Sequence, residues 1–401
     1  MRHAIIGLII GSLAGVIIGA TIIGPHFENQ ISEVHKPLPA SPAIRPPKMT
    51  DAAPLPARGI PETPKAPRTR DQPTELPPLL TNLRWRMASA FTGSLPGIGS
   101  QIRRIETEIK KISNSKFEIE FHEPGTLVPP LAMFEAVRSG TIQAAFSTPA
   151  LWADKSPAFQ LFSSIPFGPG PREYLAWFYG GGGRELFEGL YDKYDMHGLL
   201  CGMVSPGSSG WFKLPIQKIE DLKGLRMGII GLGGKVMEKF GVIPEVLLNG
   251  DVYVALQSGA IDAAEFSQPA TDFSLGLHQV ANHIYFPGWH QPATFYDLMI
   301  NKKSWDSLPG EAKAQIESVC GDNVRYGLAE ADSRQFAALK KMTEMGIQIE
   351  VWPKEIMQSF QNAWADVARE QSRGDKNFKS IWKKIQEFRE EYDIWNELSA
   401  P

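Results

Sequence analysis

Residues 228–234 read Gly-Ile-Ile-Gly-Leu-Gly-Gly and sit between an apolar run and a helical pattern, where a glycine-rich turn could cradle a dinucleotide or a phosphate. The spacing excludes both. A G-x-G-x-x-G loop opening at Gly231 would need its third glycine at Val236, and a phosphate loop would need Ser or Thr after Lys235. Ser208 and Ser209 lie between Gly207 and Gly210 at the wrong spacing for a nucleophile elbow, and H-E-x-x-H is absent. The 8 histidines are scattered, and the two cysteines, Cys201 and Cys320, make neither a disulfide framework nor a four-cysteine zinc site. Whether those two pair is left open. The residues compose no catalytic constellation, so a binding protein without a cofactor is expected rather than an enzyme. With 41 Lys+Arg against 44 Asp+Glu the chain also lacks the basic excess of a nucleic-acid reader.

The elements that must carry any site read as α/β. The 401 residues suffice for two or three domains, and 43% hydrophobic residues supply a core. A strand is expected over 83–90, followed by a helix whose buried face is Ile98, Ile102, Ile105, Ile109 and Ile112. Phe117, Ile119 and Phe121 alternate with Glu118 and Glu120 as a half-exposed strand. A helix over 129–139 and a strand over 142–147 complete a β-α-β-α-β order, which suggests a mostly parallel sheet. The pattern restarts near 199–204 with strands at 210–213, 224–230 and 261–266 and helices at 235–240 and 251–258. It returns through strands at 284–286 and 294–300 to a purely helical C-terminal third. There Phe378, Ile381, Trp382, Ile385, Phe388, Tyr392 and Trp395 mark one apolar face, read as packing.

Ahead of this body, residues 4–24 carry no charge over 21 positions, enough to cross a bilayer core. Arg2 precedes the run, which places the N-terminus in the cytoplasm and the rest outside. An uncleaved anchor is expected, with a cleaved signal peptide as the alternative. Gly7, Gly11, Gly15 and Gly19 recur every four residues, a stripe that lets a partner membrane helix approach closely. Residues 25–82 form a linker: 14 of the 32 prolines fall in it, a density that blocks ladders and favours extended polyproline geometry. At ~3.1 Å per residue its 55 residues from 25 to 79 could reach at most about 170 Å. The expected organisation is an anchor at 1–24, a linker at 25–82 and a body at 83–401.

In order along that body stand LVPPLAMFEAVRSGTIQAAFS, PAFQLFSSIPFG, YGGGG, SGWFK, IEDLKGLRMG, GGKVMEKFG, DVYVALQSGAIDAAEF and YFPGW. This series resembles the TRAP-transporter solute receptors of the DctP type, nearest the branch that binds 2-oxo acids, from about Leu83 to Trp395. The resemblance implies a periplasmic-binding-protein-like fold of two α/β lobes with a hinge and long C-terminal helices: one lobe over about 83–203 plus C-terminal parts, the other over about 204–290. It also implies capture of a small organic acid for an integral-membrane permease, with the body in the periplasm.

The family's ligand-clamping arginine falls at Gly228, and a second polar contact falls at Gly207, so neither side chain is present. Arg226, two residues earlier on the same strand face, is the candidate replacement for the clamp. Glu265 and Phe266 match the pair that helps hold a bridging cation in the 2-oxo-acid branch, and whether a metal binds here stays open. Trp211, Glu265, Phe266 and Trp289 are expected to face the cleft. Two functions remain: a tethered receptor with an altered solute, or a binding-degenerate receptor-like domain serving as an accessory subunit of a membrane complex.

Overall fold

A computed structural model describes residues 83–399. The expected anchor, its glycine stripe and the linker lie outside the described residues. Among the described residues no helix is long and apolar enough to cross a membrane.

Alternation builds the first layer. In β1 (Leu83–Ser89) Trp85 and Met87 turn inward while Arg84 and Arg86 face water. In β2 (Phe117–His122) Phe117, Ile119 and Phe121 turn inward and Glu118 pairs with Arg84 and Lys110 across the outer face. Between them α1 (Gly99–Ile112) buries Ile102, Ile105 and Ile109 and places Lys110 and Lys111 at its negative C-terminal end. The short helix α2 (Met133–Arg138) leads to β3 (Ala144–Ser147). Helices α3 (Pro171–Gly180) and α4 (Gly183–Asp192) lead to β4 (Met196–Val204).

The second layer contains β5 (Gly210–Phe212), β6 (Arg226–Gly228), α5 (Gly231–Glu238), β7 (Ile243–Glu245), α6 (Gly250–Ser258), β8 (Ala263–Ala264), α7 (Pro269–Ser274) and β9 (His283–Phe286). The chain then crosses back to β10 (Thr294–Asn301), which is buried along its whole length, and α8 (Lys302–Asp306). Helix α9 (Gly310–Glu344) has 35 residues and is about 52 Å long. It packs on α1 and β4 in one lobe and on α7 in the other. Strand β11 (Gln348–Val351), α10 (Lys354–Gly374) and α11 (Lys376–Ser399) follow.

The strand orders are β2-β1-β3-β10-β4 and β11-β9-β5-β8-β6-β7. Three expectations need correction. The first sheet is parallel only across β2-β1-β3; β10 enters antiparallel to both neighbours because it arrives from the other lobe. The C-terminal third is not purely helical: β11 pairs in parallel with β9, closing the edge of the second sheet. On α11, Phe378, Ile381 and Ile385 are buried, but Trp395 is exposed beyond the body.

One disulfide, Cys201–Cys320, ties β4 to α9, with Cα atoms 4.1 Å apart.

Candidate functional site

Glu265 leaves β8 after only two strand residues, which is what aims it between the lobes. Its N–H donates to the Gly228 carbonyl on β6 at 2.7 Å. Its side chain, 1% exposed, enters a small interlobe cavity of about 30 Å³. Phe266 lines the same cavity from the second lobe. Thr148, Ser163 and Tyr296 line it from the first, and Gln291 from the crossover between β9 and β10.

The carboxylate is half satisfied. Glu265 Oε2 accepts from Gln291 Nε2 at 3.3 Å, and His290 Nε2 stands 3.5 Å from the same oxygen. Among the described residues Oε1 has no hydrogen-bond partner, and neither ring nitrogen of buried His290 has one. A buried polar atom left unpaired costs about 1–3 kcal/mol, more when charged. Among the described residues no Lys or Arg lines this cavity.

Behind Glu265 lies a second carboxyl, Asp272 at the start of α7, fully buried. It accepts from Trp211 Nε1 at 3.0 Å, Ser267 N at 3.0 Å and Ser208 Oγ at 3.4 Å. Burial, and secondarily the charge of Glu265, push its pKa up to about 8, so at neutral pH the carboxyl keeps its proton. The Tyr296 hydroxyl is likewise raised, chiefly by burial. Phe91 stands edge-on to both Tyr296 and Phe266, with centroids 5.5 and 6.4 Å away, and gives the cavity its apolar wall.

The five residues expected at the cleft therefore separate. Glu265 and Phe266 line the cavity. Trp211 stands one layer back, holding Asp272. Trp289 is a prop: its ring stacks on Phe167 at 5.4 Å and on Phe360 of α10 at 4.7 Å. Arg226 is elsewhere, and this corrects its assignment as the clamp. Its guanidinium donates to the Gly259 carbonyl and lies 3.7 Å from Asp262, with the side chain 44% exposed. Strand alternation put it on the face of Gly228, but the turn before β8 offers a nearer anion.

The two glycines, Gly228 and Gly207, differ in kind. A Cβ on Gly228 would find ordinary contacts, Ile261 at 3.4 Å, Leu247 at 3.5 Å and Ala264 at 3.6 Å. On Gly207 it would lie 2.5 Å from the Ser267 carbonyl oxygen, so no side chain fits without moving backbone.

Gln291, His290, Asp272 and Tyr296 were not anticipated. The signal for the first two was their place directly after the YFPGW motif, as polar residues following a buried aromatic.

The family model for DctP, bacterial extracellular solute-binding protein family 7, matches residues 92–374. A monocarboxylate 2-oxoacid-binding periplasmic protein of Nostoc sp. is 33% identical over 320 residues, covering 80% of this chain and 88% of the relative. A TRAP transporter solute-binding protein from Bordetella bronchiseptica, solved with calcium and picolinate, superimposes with a TM-score of 0.78 at 33% identity, covering 80% of this chain and 95% of that one. A TRAP periplasmic solute-binding protein from Pseudoalteromonas atlantica, solved with sodium and pyruvate, gives 0.76 at 29% identity, covering 80% and 97%. Two sheets joined by crossovers and a spanning helix, a buried interlobe cavity and this agreement over most of the body make the chain a member of the DctP family of extracytoplasmic TRAP solute-binding proteins.

Proposed function

We propose that this receptor captures a small 2-oxo monocarboxylate through a cation held at Glu265, and that residues 1–24 and the proline-rich linker tether it to the membrane beside a permease. The observation that carries the reading is the orphaned Oε1 of Glu265. A hard, buried anionic oxygen without a partner, on a residue that lines this cavity beside the oxygens of Thr148, Ser163 and Tyr296, suits sodium or calcium, and the relatives from Bordetella and Pseudoalteromonas hold those ions beside an organic acid. Glu265 would supply the charged ligand, with Gln291, Tyr296, Thr148 and Ser163 offering further oxygens in the same cavity and the solute supplying others. Bound there, the ion would neutralise both Glu265 and the incoming carboxylate. That role replaces the guanidinium missing at Gly228.

The same observation favours capture over a binding-degenerate accessory subunit. A retired cleft gains nothing from keeping an unpaired, buried carboxylate, and substitution by a neutral residue would relieve the cost.

The test uses the full-length chain extracted from carbonate-washed membranes; its loss to the wash would overturn the tether. Pyruvate binding is measured by calorimetry with and without sodium or calcium. Removing the ion, or substituting Glu265→Gln, is expected to weaken binding at least tenfold, the scale of one lost charge-assisted contact at about 1.5–3 kcal/mol. Pyruvate binding that depends on neither the ion nor Glu265 would sink the cation-bridged reading.

A further inference from the structure

We propose that Asn249 is a clasp that holds the two lobes shut over the Glu265 cavity, a positioning residue that sets how long a captured solute stays. The inference rests on the capture reading above and adds the control of release.

Asn249 belongs to the second lobe, in the turn between β7 and α6. Its side chain crosses to the first lobe, to the segment that follows β1. Nδ2 donates to the Ala90 carbonyl at 2.9 Å, and Oδ1 accepts from the Thr92 N–H at 3.3 Å. Turning the amide over would set oxygen against oxygen and donor against donor, so only this orientation fits. The receiving segment is fixed in its own lobe. The Ala90 N–H donates to the Phe146 carbonyl at 3.0 Å, and the Ser89 hydroxyl bonds both the N–H and the carbonyl of Phe91. The two bonds of Asn249 therefore straddle Phe91. Phe91 lines the Glu265 cavity from the first lobe, and Leu247 and Leu248, just before Asn249, line it from the second. The clasp thus joins the two apolar walls that keep water from the carboxylate.

The backbone supplies a second observation. Asn249 has φ 50° and ψ −129°. Asparagine tolerates the left-handed helical region, where ψ is about +30° to +60°, but this ψ lies outside it, where glycine is the usual residue. A residue held in such a conformation persists only where its surroundings over-determine it. Among the described residues the Asn249 side chain has hydrogen bonds only to the first lobe. Parting the lobes breaks both bonds and frees the backbone to relax, so the turn has a clasped state and a released one.

The test uses the full-length chain in lipid nanodiscs with sodium or calcium present. Nitroxide labels at Leu131→Cys in the first lobe and Val254→Cys in the second, both exposed positions, report the interlobe distance by pulsed electron resonance. Release is timed by chasing bound radiolabelled pyruvate with excess unlabelled acid. Asn249→Ala is expected to release pyruvate about tenfold faster, the equivalent of ~1.4 kcal/mol for two ordinary hydrogen bonds. The pyruvate-bound distance should shift towards the longer, solute-free one. The melting temperature without solute should match the parent's, because the clasp acts in the closed state. Asn249→Gly loses the same bonds but relieves the backbone, and its release rate should fall between the two. Release and distance unchanged in Asn249→Ala would overturn the clasp while leaving capture intact, as would a lower solute-free melting temperature with unchanged release. No pyruvate binding by the parent would overturn the capture reading and this inference with it.

Discussion

Two buried aspartates each contribute stability that is lost as pH rises, whereas Glu118, Glu135, Asp221 and Asp322, held below the usual carboxylate range, contribute stability that is lost as pH falls. The Asp272 pKa is pushed up to about 8 and that of Asp297, between Ser147 and Tyr191, up to about 6, both chiefly by burial. In the unfolded chain both titrate near 3.9. Between about pH 4 and these raised values the folded state therefore holds more protons than the unfolded one. The contribution of these two groups is fully present at the acid end of that window and falls as pH rises through it. Asp272→Asn, which cannot ionise, should lose less stability between pH 5 and pH 8 than the parent, read as the difference in denaturation midpoint at the two pH values. An identical fall in both would show that Asp272 is charged in the folded protein. At this scale the sequence was half legible. Glu265 and Phe266 were marked by motif, whereas Gln291 meets Glu265 across 26 residues and Asp272 meets Trp211 across 61, contacts that only the fold creates. Arg226 failed because alternation along a strand fixes a face, not the partner a long side chain finds on it.

Among the elements, α9 carries the most structural consequence, since it packs on both lobes and is bonded covalently to one. Cys201 and Cys320 are 119 residues apart, and closing a loop of that length constrains the unfolded chain by about 5 kcal/mol in the chain-entropy account. The bond lies in a packed interface of β4 and α9, with both cysteines buried. Cys201→Ala with Cys320→Ala should therefore lower unfolding stability by about 2–5 kcal/mol, measured in urea under non-reducing conditions. A change below ~1 kcal/mol would mean that packing alone fixes the helix. Periodicity made α1, β1 and β2 readable because each has one wet and one dry face. It missed β11, whose residues are mostly exposed on an edge and so lack an apolar signature. It also overextended β8, where the apolar run continues into Phe266 although the backbone has already turned toward the cavity.

For the whole molecule, what matters is how two lobes move about the strands between them. The crossovers at 205–209 and 287–293 pass in contact: a Cβ on Gly288 would lie 2.3 Å from the Gly207 carbonyl oxygen. Ser209 binds both crossovers together, its N–H donating to the Tyr285 carbonyl at 2.7 Å and its hydroxyl to the Pro287 carbonyl. Helix α9 is pinned beside them, where Ser205 Oγ donates to Asp332 at 3.1 Å and Gln335 donates to Gln268 at 3.2 Å. Since the cavity at Glu265 lies between the lobes, entry and closure both turn on this tight crossing. Gly207→Ala adds one methyl where the Ser267 carbonyl oxygen is 2.5 Å away, so either strand must shift, at about 1–3 kcal/mol of strain. The melting temperature should fall and solute affinity with it, because the lobes no longer meet in the arrangement that encloses Glu265. Gly321→Ala is the matched control. It sits inside α9 with nothing within 4 Å of the new methyl, and should raise stability by about 0.5–1 kcal/mol through helix propensity without changing affinity. If Gly207→Ala melted and bound like the parent, the crossovers would be slack, and closure would have to be controlled by α9 alone.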